Sequence, residues 1–231
     1  MKKLATPVLL LFAAVMAYSL SSCTSFATGN NSKVEGNGKI VKQARPLKDF
    51  DGIKCSGAFN VILKQGSEFS VEVETDENLQ EKVITEIKSG TLCMSMNGKV
   101  SHMSKLNVYI TLPELNRMDA SGACEIEFEN RMNAKTLDMD LSGAVSVKAN
   151  LNAKSINGDI SGAVNLKMEG TADELNLKAS GAVEIKGLGL ICGKADIDAS
   201  GAAYIEINPA TDLHSKTSGA SSISRDASGN K

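Results

Sequence analysis

Asp140-Leu141-Ser142-Gly143-Ala144-Val145-Ser146-Val147-Lys148 is followed nineteen residues later by Asp159-Ile160-Ser161-Gly162-Ala163-Val164-Asn165-Leu166-Lys167. Both stretches set a Ser-Gly-Ala tripeptide between runs in which apolar and polar residues alternate, as a half-buried strand requires. Scanning outward, the tripeptide starts at Ser56, Ser121, Ser142, Ser161, Ser180, Ser200 and Ser218, the last six at intervals of 21, 19, 19, 20 and 18 residues. Three places after the serine stand Cys124, Val145, Val164, Val183 and Ala203; five places after it stand Ile126, Val147, Leu166, Ile185 and Ile205. A fixed period near twenty with short strands predicts an all-β parallel β-helix (β-solenoid) of about 18–21 residues per coil. Right-handed coiling is expected from the preference of parallel connections. An antiparallel sandwich would give turns every 8–12 residues and no tripeptide in register.

In that reading, Ser121-Gly122-Ala123, Ser142-Gly143-Ala144, Ser161-Gly162-Ala163, Ser180-Gly181-Ala182 and Ser200-Gly201-Ala202 are structural corners. Glycine supplies the backbone angles, alanine permits close approach, and the serines hydrogen-bond to neighbouring coils. Ser56-Gly57-Ala58 lies 65 residues before Ser121, room for about three less regular coils. Strands are expected there at Phe69–Val73, Leu92–Met96 and Leu106–Leu112. A short helix is expected near Asn78–Ile84 with Asp76 as N-cap, and a hairpin-like Phe50–Gln65 start would cover one end. Asn157-Gly158-Asp159 and the glycines of 187–193 read as bends.

The beginning of the chain has a different character. Lys2 and Lys3 precede an apolar run, Val8–Ala17, too short to span a bilayer as a helix. Leu20-Ser21-Ser22-Cys23 then looks like a bacterial lipobox. We read residues 1–22 as a lipoprotein signal peptide, Cys23 as the lipidated residue, 23–38 as a flexible tether, and 39–224 as one domain. Within that domain 39–120 form the irregular coils and 121–224 the regular ones; 225–231 is a polar tail. Acyl chains on Cys23 would anchor the protein without a span. No acidic residue follows Cys23 closely, so a periplasm-facing outer-membrane anchor is expected rather than a surface one.

Composition narrows the function. The 231 residues carry 25 basic and 27 acidic side chains; losing Lys2 and Lys3 with the leader takes the formal charge from −2 to −4. No basic cluster invites nucleic acid, and without tryptophan there is no evident stacking platform for sugars. Cys55, Cys93, Cys124 and Cys192 have no metal or redox spacing. Export permits disulfides, and the register makes two of the four small core residues. His102 and His214 are isolated surface residues, and no serine has a nucleophile-elbow context.

One pattern rises above this background. Two places before the serine stand Asp119, Asp140, Asp159, Lys178, Asp198 and Lys216; four places before it stand Arg117, Asp138, Asn157, Asn176, Asp196 and His214. By alternation both columns face outward. Stacked carboxylates repel unless screened or paired. Asp119, Asp138, Asp140, Asn157 and Asp159 therefore form the candidate ligand face, and Ca²⁺ is the cation that Asp138, Asp140 and Asp159 would suit. The plain alternative is a solvated face closed by Lys178. No cofactor is otherwise expected.

The stretch Phe50-Asp51-Gly52-Ile53-Lys54-Cys55-Ser56-Gly57-Ala58-Phe59-Asn60-Val61, with the lipobox and the repeated Ser-Gly-Ala, resembles the head-GIN adhesin family frequent in Bacteroidetes. The resemblance covers residues 40–224 and implies an exported β-helix-like protein, with no catalytic residues to carry over. Three functions follow: a non-catalytic binding or adhesin-like module with a protein or glycan partner, a structural envelope protein self-associating through an uncovered edge, or a polysaccharide-acting enzyme. Repeats this short leave little room for the loops an enzyme cleft would need, so the first two are favoured.

Overall fold

The computed structural model describes residues 33–208 and 211–225; the leader, Cys23 and most of the polar tail lie outside them. The protein is all-β. Among the described residues, thirteen strands follow in chain order: β1 (Val34–Glu35), β2 (Ile40–Arg45), β3 (Gly52–Gln65), β4 (Ser70–Asp76), β5 (Val83–Lys88), β6 (Thr91–Met96), β7 (Val100–His102), β8 (Leu106–Leu112), β9 (Arg117–Phe128), β10 (Met132–Ala199), β11 (Tyr204–Ile207), β12 (Asp212–Thr217) and β13 (Ser222–Arg225). A 3₁₀ helix at Glu77–Lys82 is the one helix among the described residues.

From β9 onward the pairing is parallel and the tripeptides lie in register. Ser142 and Gly143 of β10 pair with Ser121 and Gly122 of β9. Farther along, β10 pairs with β12 through Lys194–Ala199 and with β11 through Glu184–Gly187. The 68-residue β10 also stacks on itself with a nineteen-residue offset, since Asn157 Nδ2 donates to Asp138 Oδ1 and Asn176 Nδ2 to Asn157 Oδ1. Inward columns fill with Ala120, Leu141, Ile160 and Ala179, then Ile126, Val147, Leu166 and Ile185, all buried. Each large aliphatic contributes about 1.5–3 kcal/mol on burial.

The glycine of the tripeptide sets how closely successive repeats approach. Gly143 has φ +90°, and a Cβ there would lie 2.5 Å from the Gly122 carbonyl oxygen; Gly162 repeats this contact against Gly143 at 2.6 Å. Two of these serines bond to the preceding repeat: Ser142 Oγ donates to Ala120 O at 3.5 Å and Ser200 Oγ to Ala179 O at 3.4 Å.

The first half departs from the expected coils. Ser56-Gly57-Ala58 pairs directly with Ser121-Gly122-Ala123 through β3 and β9, with Cys55 opposite Ala120. No coil separates them; the intervening chain leaves and returns. Its strands β4 and β8 pair antiparallel, with β2 from ahead of β3 added antiparallel to β4; β8 then runs parallel to β3, while the antiparallel β5–β6 hairpin adds to β3 through β6. The sheet is therefore mixed. The strands expected near 69–73, 92–96 and 106–112 form as β4, β6 and β8, but Phe50–Gln65 is no hairpin: β3 runs unbroken for 14 residues. Asn157-Gly158-Asp159 and most of 187–193 likewise run extended within β10 rather than bending. The Leu177 side chain occupies the space beside Gly158.

Asp76 also does something other than cap. It precedes the 3₁₀ helix without a side-chain cap bond. Instead its carboxylate accepts from Gly38 N at 2.7 Å, Ser104 N at 2.8 Å and Ser104 Oγ at 2.9 Å. Burial alone would raise its pKa, but these donors outweigh that and hold the carboxyl below the usual range. The effect is to clasp the segment entering at Lys33, which is already tied by Val34 N to Lys99 O and Gly36 N to His102 O.

Candidate functional site

Column alternation and parallel register together build an outward groove. Arg117 and Asp119 on β9 stand beside Asp138 and Asp140 on β10. Farther along, Asp196 and Asp198 stand beside His214 and Lys216 on β12. A depression of about 620 Å³ runs across these rungs, lined by Arg117, Asp119, Asp138, Asp140, Asn157, Asp159, Asn176, Lys178, Asp196, Asp198 and Lys216. All five residues of the candidate face lie in it. Met139 and Leu177 supply apolar floor between the polar rows.

The carboxylates are treated unequally. Asp119 is neutralised by Lys54 Nζ at 3.6 Å and Arg117 Nε at 3.4 Å. Asp138 accepts the Asn157 amide at 2.8 Å, and Asn157 in turn accepts from Asn176 at 3.0 Å. These amides form a ladder along one wall, each shielding the next polar group from like charge. On the other wall, among the described residues, Asp140 and Asp159 enter no ion pair, and Lys178 interrupts that row ahead of Asp198 without pairing with either carboxylate. The stretch of the groove at Asp140 and Asp159 is thus negative and open, bounded by Lys54 and Arg117 on one side and Lys178 on the other.

Among the described residues, no three His, Cys, Asp or Glu side chains converge as metal ligands; Asp138, Asp140 and Asp159 lie along the groove rather than around a point. The sequence columns already contained Asn176, Lys178, Asp196, Asp198 and Lys216, yet the candidate face stopped short of them. The register shows the groove continuing across those rungs. Lys54 was missed because its distance in sequence hid that Ser56 stacks on Ser121.

A second depression of about 740 Å³ follows the tripeptide alanines, with Ala123, Ala144, Ala163 and Ala182 as floor and Met103 and Lys105 at one end. Cys55 on β3 and Cys124 on β9 are buried beside it with their sulfurs facing each other. Cys93 and Cys192 are free.

The comparisons with known proteins agree with this architecture. A "putative adhesin" from Bacteroides fragilis NCTC 9343 superposes with a TM-score of 0.77 at 20% identity, over 83% of this chain and 99% of that one. A "putative adhesin" from Parabacteroides distasonis ATCC 8503 gives 0.66 at 21% identity, over 84% and 100%. A "putative lipid binding protein" from the same strain gives 0.61 at 18%, over 84% and 95%. At these identities the likeness is one of fold. No curated protein matches the chain. Residues 49–227 match the family model described as "Putative auto-transporter adhesin, head GIN domain", and the chain belongs to that family.

Proposed function

We propose that the protein is a lipid-anchored, non-catalytic binding module of the cell envelope, its repeats from β9 onward coiled as a right-handed parallel β-solenoid, and held to the outer membrane through Cys23. Its ligand face is the Asp/Asn groove. The observation that carries this reading is the open run of carboxylates at Asp140 and Asp159, held in register beside the Asn176–Asn157–Asp138 amide ladder. A rigid row of acceptors spaced by one rung, about 4.8 Å, suits an elongated partner presenting hydrogen-bond donors or positive charge, a protein or glycan strand. Binding along a pre-ordered face needs little reorganisation. A basic leader followed by a lipobox-like cysteine supports the anchor.

The test compares capture of envelope components by wild-type protein and by the Asp138→Asn/Asp140→Asn/Asp159→Asn variant. Captured partners are identified by mass spectrometry and glycan analysis, with and without added Ca²⁺. Loss of a specific partner from the variant supports the reading; dependence on Ca²⁺ would assign the carboxylates to a bridging cation. Identical capture by both proteins would sink the groove and favour a purely structural envelope protein. Protease treatment of intact against lysed cells reports the side of the membrane on which the domain stands, with protection until lysis expected.

A further inference from the structure

The strand β12 hydrogen-bonds on one side to Lys194–Ala199 of β10, and β13 on one side to β11. Among the described residues neither has a partner on its other side. The backbone alternates in direction here: Ser218, Ala220 and Ser222 donate back to Ala199, Gly201 and Ala203. By the same alternation Leu213, Ser215 and Thr217 turn their N–H and C=O groups to the open edge.

We infer that this edge pairs antiparallel with β12 of a second copy, about a two-fold axis at His214, giving a closed end-to-end dimer. This inference does not depend on what the groove binds, although Lys216 lines the last rung of the groove as well. In that register Leu213 of one copy faces Ser215 of the other as a hydrogen-bonded pair. Asp212 then lies opposite Lys216, and symmetry makes this contact twice. Sliding the strands by one allowed step either way breaks both Asp212–Lys216 pairs, so charge selects one register.

Among the described residues, the β2 and β5 edges of the same sheet lack this property. β2 carries Lys42 and Arg45 and no carboxylate, and Pro46 ends it. β5 can oppose Glu86 to Lys88 only in a register that runs at once into its own turn at Ser89-Gly90. One self-complementary end and one unlike end close the assembly at two copies instead of extending it into a fibre. The last repeat is also polar where earlier ones are apolar: Ser215, Thr217 and Ser221 take the column places of Ile197, Ala199 and Ala203. Backbone bonds and charge therefore hold the contact, and it is salt-sensitive.

The test uses the full chain extracted from membranes in density-matched detergent and followed by sedimentation velocity across protein concentration. Wild type is expected to reach a dimer. Asp212→Lys, which sets lysine against lysine twice, is expected to weaken it roughly tenfold. The charge swap Asp212→Lys/Lys216→Asp should restore it, which a misfolded variant would not. Independently, His214→Cys should form an intermolecular disulfide under mild oxidation, while Ser146→Cys on a distant face should not exceed the wild-type background. A wild type that stays monomeric, a swap that does not rescue, or cross-linking at position 214 no better than the control would each overturn the inference.

Discussion

Replacing Gly143 with alanine places a methyl group where the Gly122 carbonyl oxygen and amide nitrogen lie 2.5 and 2.8 Å from the Cβ position. Two costs follow. The residue sits at φ +90°, and holding an L side chain in such sparsely populated backbone costs about 1–3 kcal/mol. The contact must also open by roughly 1 Å to reach ordinary van der Waals separation, which strains about two flanking interstrand bonds, at about 0.5–1.5 kcal/mol each. Together we expect about 2–6 kcal/mol, enough to unfold a marginal domain. Gly98 separates the two effects, since its φ is +88° yet a Cβ there meets nothing within 4 Å. Gly98→Ala should show the conformational cost alone. Urea unfolding of both variants, followed by circular dichroism, measures the difference. If Gly143→Ala costs no more than Gly98→Ala, close approach of successive glycines does not set the spacing of the repeats, and the reasoning fails.

Asp76→Asn should lower the melting temperature at pH 7. Because the folded carboxyl is held below its usual range, its stabilisation is full above the unfolded value near 4 and disappears as pH falls through the lower folded value; the variant should flatten that acid limb in thermal melts. Asn157→Asp removes the amide donated to Asp138 and sets two carboxylates side by side, which should cost about 1 kcal/mol in denaturant titrations and be partly relieved by salt. Cys192 should react slowly with a thiol reagent in the folded protein, because burial pushes its thiol pKa up.

The regular half of the fold was legible because its information is local and repeated. Val145, Val147, Val164 and Leu166 alternate with polar neighbours and return at a constant interval, and each is buried. The first half was not, for a physical reason. Alternation shows that Ser70–Asp76 and Leu106–Leu112 are strands, yet an antiparallel pair and a parallel pair present the same one-sided pattern. What decides between them is the partner's direction, and no residue of β4 or β8 encodes that alone. Asp76 shows a related limit: its residue type suggested a cap, but its partners Gly38 and Ser104 lie 38 and 28 positions away. The groove was half legible. Its columns followed from the repeat, while the contribution of Lys54 depended on β3 stacking directly on β9.

The in-register glycines carry a consequence at the level of the gene. Residues 142–160 span one full interval between equivalent corners, so excising them joins Leu141 to Ser161 with every neighbour replaced by its own counterpart. Recombination between such similar segments would shorten or lengthen the protein by whole rungs, each about 4.8 Å, while the clasped beginning and the final strands stay untouched. The length of the groove, and with it the reach of whatever it holds, is thus open to change by copy number without any new side chain having to arise.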